Sequence, residues 1–302
     1  MAFNIWRITD GKAGHDSQSI GLCNAIAKLK PCERFDIPVG SLFDNYKNLL
    51  LKQFPKSKDL PSPNIIIGAG HGTHLLMLSA KRARGGKIIV LMKPSLPLSF
   101  FDLCIIPKHD SPAKQENIII TNGALNPVQF NENKSDNTGL ILLGGPSKHY
   151  QWNNESIINQ VKQIVTNDSS THWTIADSPR TPGNTLSNIN ELAYENVDTL
   201  KFAETDSQTI RKFIFNANRI WVSSDSISMI YESLSSGAAV GLLDVEQKKQ
   251  NRINNAINTL IDEKQLSTFE MWSDAHKLLN ASFKFHEAER CASLLLERGM
   301  LV

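Results

Sequence analysis

At 302 residues, with 41% hydrophobic and 21% charged side chains, the chain is long enough for two ordinary domains, and its composition excludes both a disordered protein and a membrane bundle. The net charge of +2 divides unevenly: residues 1–136 hold 17 Lys+Arg against 11 Asp+Glu, and residues 137–302 hold 15 against 19. No basic block is dense enough for a nucleic-acid surface, and no run approaches the ~18 apolar residues of a spanning helix.

No basic segment followed by an apolar stretch opens the chain, so a cytoplasmic location is expected. Cys23, Cys32, Cys104 and Cys291 are scattered without a Cys-x-x-Cys pair, which speaks against a zinc site or a disulfide framework.

In the front half, short runs rich in Ile, Val and Leu predict strands at 4–9, 34–39, 64–68, 87–92, 103–107 and 117–121. Helices are expected between them at 17–29, 46–52 and 73–84, the first with Asp16 as its N-cap. The polar, aperiodic stretch Phe130–Thr138 reads as a linker. Beyond it the alternation restarts, with strands at 139–143, 172–176, 199–202, 219–222 and 239–243. The matching helices fall at 154–165, 185–193, 206–216, 226–236 and 247–261, and a final helix at about 283–297.

Strand–helix alternation with continuous apolar strands predicts parallel sheets covered on both faces. The expected architecture is therefore α/β: two tandem Rossmann-like, doubly wound domains facing one cleft. The boundaries are 1–132 for an N-terminal domain and 133–282 for a C-terminal one. Residues 283–302 form a C-terminal helix placed so that it can pack back toward the first domain. Ligands of such sheets sit beyond the carboxyl ends of the strands, and the glycine-rich turns all lie there.

The first turn, Asp10-Gly11-Lys12-Ala13-Gly14-His15, crowds an acid, a cation and an imidazole into one strand-to-helix connection. Histidine there suits a proton acceptor, because its unperturbed pKa is ~6.5; the alternative is a solvated imidazole beside glycines that merely turn the chain. The second turn, Gly68-Ala69-Gly70-His71-Gly72-Thr73-His74, fails the dinucleotide fingerprint. Its third glycine is one residue early, and Lys93-Pro94 stands where an acid should follow the next strand. It leaves close backbone approach at Gly70 and a second candidate base, His71. With no third ligand beside His71 and His74, no metal is expected.

In the back half, Gly144-Gly145-Pro146-Ser147-Lys148 has the form of a phosphate-approach turn without the pattern of an ATPase loop. Arg180, between Pro179 and Pro182, is held by stiff backbone and suits a phosphate grip. The most specific stretch runs from Ser223 to Gly237. A strand ends in a serine-rich turn and a helix begins, so amides and the hydroxyls of Ser226 and Ser228 converge on one point. Glu232, a turn and a half into that helix, is placed to accept from ribose hydroxyls; the alternative is N-capping plus a surface Glu. Leu96-Pro97-Leu98-Ser99-Phe100-Phe101 is an apolar loop between Lys93 and Lys108, open either to burial or to contact with a membrane or lipid-linked acceptor.

Taken together, Asp10–His15, Gly68–His71, Gly85–Val90, Gly144–Ser147, Ser178–Pro182 and Ser224–Met229 resemble one family, the bacterial group related to the plant mitochondrial-fission (elongated-mitochondria) protein. That family is similar to the two-domain GT-B glycosyltransferases. Gly11–His15 and Gly144–Ser147 resemble the two glycine loops of the peptidoglycan lipid-intermediate N-acetylglucosaminyltransferase. Glu232 followed by Gly237 resembles its nucleotide-sugar helix, and Met229 departs from that pattern where a hydroxyl residue is common.

The resemblance implies a metal-independent glycosyltransferase that needs no cofactor beyond a nucleotide-sugar co-substrate. The back domain would hold the donor through Gly144, Gly145, Ser147, Lys148, Arg180, Ser226, Ser228, Met229 and Glu232. The front domain would take the acceptor beside Asp10, Gly11, Lys12, Gly14 and Gly70, with His15 as base and His71 as runner-up. The acceptor would be an envelope glycan or a lipid-linked glycan, reached by peripheral contact with the cytoplasmic face of the inner membrane. The resemblance also implies an alternative, a catalytically inactive GT-B-like adaptor at a membrane.

Overall fold

Residues 2–54, 58–248 and 252–302 are described by a computed structural model. They divide into two units: residues up to Pro127 together with His286–Val302, and Val128–Phe285.

The first unit is built on β1 (Phe3–Thr9), β2 (Cys32–Pro38), β3 (Ile65–Ala69), β4 (Lys87–Leu91), β5 (Leu103–Pro107) and β6 (Ile118–Thr121). All are parallel, in the order β2-β1-β3-β4-β5-β6, so the winding reverses between β1 and β3. Ile65, Ile66 and Ile67 are fully buried because the sheet is covered on both sides, and successive residues feed opposite cores. Ile65 and Ile67 join Leu22 and Ile26 of α1 (Ala13–Leu29), whereas Ile66 joins Leu76, Met77 and Ala80 of α3 (His74–Arg84). Outside α3 lies α2 (Leu42–Leu51), whose N-cap Ser41 accepts from the Asp44 amide.

The second unit contains β7 (Thr138–Leu142), α4 (Asn154–Asn167), β8 (His172–Ala176), α5 (Gly183–Asn190), β9 (Val197–Leu200) and α6 (Ser207–Asn216). It continues through β10 (Arg219–Ser223), α7 (Ile227–Ser235), β11 (Ala239–Leu243), α8 (Arg252–Asp262), β12 (Ser267–Thr268) and α9 (Phe269–Ala275). Its parallel sheet runs β12-β11-β10-β7-β8-β9, the two-half order of a dinucleotide-type fold, and reverses between β7 and β10. One face packs Ile157, Val161 and Ile164 of α4 against Trp173, Trp221 and Trp272. The other carries α6 and α7.

The last helix, α10 (Glu287–Glu297), belongs to the first unit and lies beside α1, where Cys291, Ala292 and Leu295 enter the same core as Leu22. Helix α1 begins at Ala13, four residues before the expected start, and Asp16 is not its cap. Lys12 occupies the N-cap without a capping side chain, while Asp16 bonds Arg7 at 2.8 Å and Thr9. The cause is the buried Arg7 guanidinium, which draws in both Asp16 and Asp36.

The stretch expected as a linker is also tied down. The amide of Asn131 donates to Ser236 O, and Lys134 Nζ donates to Phe215 O and Ala217 O at the end of α6. Burial brings the Lys134 ammonium down to about 8. Part of the expected helix 247–261 lies outside the described residues, and β12 and α9 are additions to the predicted order.

Candidate functional site

Each sheet reverses its winding at one point, and each reversal gathers loops that carry polar side chains. In the first unit these are the loops after β1 and β3. Starting α1 at Ala13 puts His15 in the first helical turn, with its ring turned back onto the end of β1. His15 Nδ1 lies 2.9 and 3.0 Å from the two oxygens of Asp10, whose side chain is only 6% exposed. Burial by itself disfavours the Asp10 carboxylate. The hydrogen bond and charge of His15, with help from Lys12, outweigh it and hold this carboxyl below the usual range.

In the neutral ring, Nδ1–H donating to this carboxylate leaves the lone pair on Nε2, the form a proton acceptor requires. The opposite wall is Gly70, at φ +77° and ψ 158°. A Cβ there would stand 2.2 Å from His15 Cε1, so only glycine admits the ring. Lys12 Nζ is 3.7 Å from Asp10. Gly11, also at positive φ, is exposed, and Gly14 follows in the helix.

His71 is exposed on a short 3₁₀ turn, residues 71–73. It is not part of the Asp10–His15 pair. His74 is buried instead: its Nε2 has no partner among the described residues, and burial, with His71 nearby, lowers its pKa to about 4.

In the second unit the reversal gathers the loops after β7, β8 and β10. The amides of Gly144 and Gly145, expected to hold the donor, are instead bonded within the protein. Gly144 N–H donates to Ser223 Oγ at 2.7 Å and Gly145 N–H to Asp225 Oδ2 at 3.1 Å. Arg180 is likewise engaged, donating Nη1–H to Gly145 O at 2.8 Å and pairing through Nη2 with Asp225 at 2.7 Å. Ser178 and Thr181 fasten this loop to the carbonyl of Gly144. Arg180 keeps 39% of its side chain exposed, so part of its donor fork still faces outward, whereas the side chain of Asp225 is fully buried.

Asp225 is the residue that sequence reasoning missed. Its only signal was an acid set among serines at a strand end. The carboxylate occupies the space that makes residue 144 a glycine, since a Cβ there would lie 2.3 Å from Oδ2.

Helix α7 then begins with Ser226 at its N-cap, and no side chain caps it. Its leading amides and positive dipole end are therefore available to an anion. Ser228 and Met229 lie in this first turn, and Glu232 follows, all half-buried. Ser147 Oγ is committed to the amides of His149 and Tyr150, and Lys148 is exposed. Among the described residues no group of three or more His, Cys, Asp or Glu converges as a metal site.

Two doubly wound parallel sheets in one chain, each with its loop cluster at the carboxyl edge, define an α/β protein with the two-unit, GT-B-like fold. Solved structures of the same fold include the UDP-GlcNAc 2-epimerase from Methanocaldococcus jannaschii (TM-score 0.62, 12% identity, 98% of this chain and 100% of that one). The glycotransferase of kitacinnamycin is another (TM-score 0.55, 10% identity, all of both chains). At such identities the likeness is one of fold. Residues 13–299 match the family described as mitochondrial fission ELM1, and the chain belongs to that family. A relative in Rickettsia prowazekii (strain Madrid E), uncharacterized protein RP120, is 25% identical over 78% of this chain and 81% of its own length.

Proposed function

We propose that the protein is a metal-independent glycosyltransferase that takes its sugar from a nucleotide-sugar donor. The observation that carries this reading is the uncapped start of α7 at the reversal point of the second sheet, beside the outward part of the Arg180 fork. An N-terminus of this kind binds phosphate through backbone N–H groups and the helix dipole. Ser226, Ser228 and Arg180 would hold the diphosphate, with Lys148 at the rim and Glu232 on the ribose. Charge on the departing nucleotide would then be met by the helix terminus and the guanidinium. Gly144, Gly145 and Ser147 would shape this site through their internal bonds rather than touch the donor by their amides. The names of the epimerase and glycotransferase with this fold, both sugar-directed, support the same ligand class.

His15 is the base in this reading. Asp10 holds its Nδ1, and Nε2 accepts the proton of the acceptor hydroxyl as that oxygen attacks the sugar, for a contribution of roughly 10²–10⁴-fold. A pure adaptor has no need of an imidazole oriented by a buried carboxylate and walled by a glycine. The acceptor we assign is a glycan or lipid-linked glycan.

Thermal unfolding with nucleotide sugars is the test. A donor at 100 times its dissociation constant adds about 2.7 kcal/mol. If UDP, GDP, ADP and CMP sugars all leave the transition unmoved, the transferase reading fails and the adaptor reading takes its place. With a donor in hand, His15→Ala should cut turnover by at least a hundredfold and leave donor affinity within about twofold. Equal loss of both would move His15 to donor binding.

A further inference from the structure

Helix α2 carries an apolar row that the first unit does not use. Phe43 is 77% exposed, Tyr46 57%, Leu50 60% and Leu51 53%. Phe43, Tyr46 and Leu50 are spaced i, i+3, i+7, so they form one stripe along the outer side of the helix. The inner side is accounted for by Asn45, which is buried and accepts the Ser79 hydroxyl of α3 on its carbonyl. A stripe of large side chains on water is what a fold avoids unless something covers it.

Among the described residues, the exposed charges on the helix and just beyond it are Lys47, Lys52 and Lys58 against Asp44 and Asp59, a small positive excess. Lys47 lies within the stripe, Lys52 caps the helix end and Lys58 follows, all exposed and without an ion pair among the described residues. The whole first unit holds 18 Lys+Arg against 12 Asp+Glu, a net +6. Helix α2 packs on α3, and α3 covers the face of the sheet that also receives Leu96 and Leu98 of the apolar loop. The next aromatic of that loop, Phe100, is again 49% exposed.

We infer that α2 is a docking element for an anionic lipid surface. The apolar stripe enters the boundary between headgroups and acyl chains, and the lysines reach lipid phosphates along their flexible stems. A second copy of the chain is the poorer occupant. Ten residues make a helix of about 15 Å, too short to supply the ~800 Å² per partner of a stable interface. The assignment goes beyond the nucleotide-sugar reading and does not depend on it.

The experiment is cosedimentation of the full chain with vesicles of phosphatidylcholine alone and of phosphatidylcholine mixed with phosphatidylglycerol. The wild type should partition to the mixed vesicles, and less so as salt rises. Phe43→Ser with Leu50→Ser should lower partitioning roughly tenfold or more. Lys47→Glu with Lys52→Glu should lower it by about fivefold per lysine, on the anionic vesicles only. Phe202→Ser, at an exposed aromatic of the second unit, should change nothing. All these positions are exposed, and matching thermal transitions will show that the variants fold. A wild type that stays in the supernatant, or α2 variants that sediment as it does, would overturn the inference. Charge-insensitive binding would do the same, as would light scattering that shows a dimer dissolved by the α2 substitutions.

Discussion

Gly70→Ala tests the packing on which the role of His15 depends. Residue 70 has φ +77° and ψ 158°, a region that only glycine enters freely, so a side chain there strains the backbone by about 1–3 kcal/mol. The added methyl also lands 2.2 Å from His15 Cε1 and 2.5 Å from Nδ1, well inside contact distance. Relieving that overlap by moving the imidazole off Asp10 costs about another 1–3 kcal/mol. The two effects separate cleanly. Gly11→Ala, at φ +74° with no atom within 4 Å of the built Cβ, carries strain alone. Gly70→Ala made in a His15→Ala background should likewise lose the collision and keep only the strain. Urea unfolding of the four proteins in the cycle measures this, and each kcal/mol also corresponds to roughly 2–4 °C in Tm for a unit of this size. The expected coupling between Gly70→Ala and His15→Ala is about 1–3 kcal/mol. A coupling below about 0.5 kcal/mol would mean that the ring does not rest on Gly70, and the orientation assigned to His15 would be withdrawn.

Two more perturbations probe one buried group in each unit. His74 is buried with its pKa lowered to about 4, so between pH 6.5 and 4 the unfolded chain binds a proton that the folded one refuses. Its contribution to stability is complete above pH 6.5 and declines as pH falls through that window. His74→Gln should flatten the decline in urea midpoints measured from pH 7 to pH 4, and an unchanged slope would refute the assignment. Arg180→Ala should destabilise the second unit by about 1–3 kcal/mol, because the buried Asp225 carboxylate would keep only the Gly145 amide. Asp225→Asn made on top of Arg180→Ala should recover part of that loss, and strict additivity of the two substitutions would count against the pairing.

Much of the architecture is legible in local pattern. Ile65-Ile66-Ile67 is short, unbroken and β-branched and Ala239–Leu243 is short and wholly apolar, and their length between turn signals suits a buried parallel strand. The strand at 103–107 and the helix beginning at Asn154 follow from the same alternation of patterns. The candidate loops were visible because glycine, histidine and serine cluster where strands end, and α7 starts within one residue of its expected position.

Other features depend on groups far apart in the chain. Sheet order is one, since a strand's own residues carry no record of which neighbour will pair with it across a helical crossover. The start of α1 is another: Asp16 has the form of a cap, but the buried guanidinium of Arg7 takes it. The same holds for Gly144 and Gly145, whose amides look bare in sequence and close on Ser223 and on Asp225, some 80 residues away. Residue order thus determined where polar groups stand at strand ends, because turn chemistry is local. Only the tertiary structure decided which of them remain open to a ligand, because a buried charge draws its partners from wherever packing brings them.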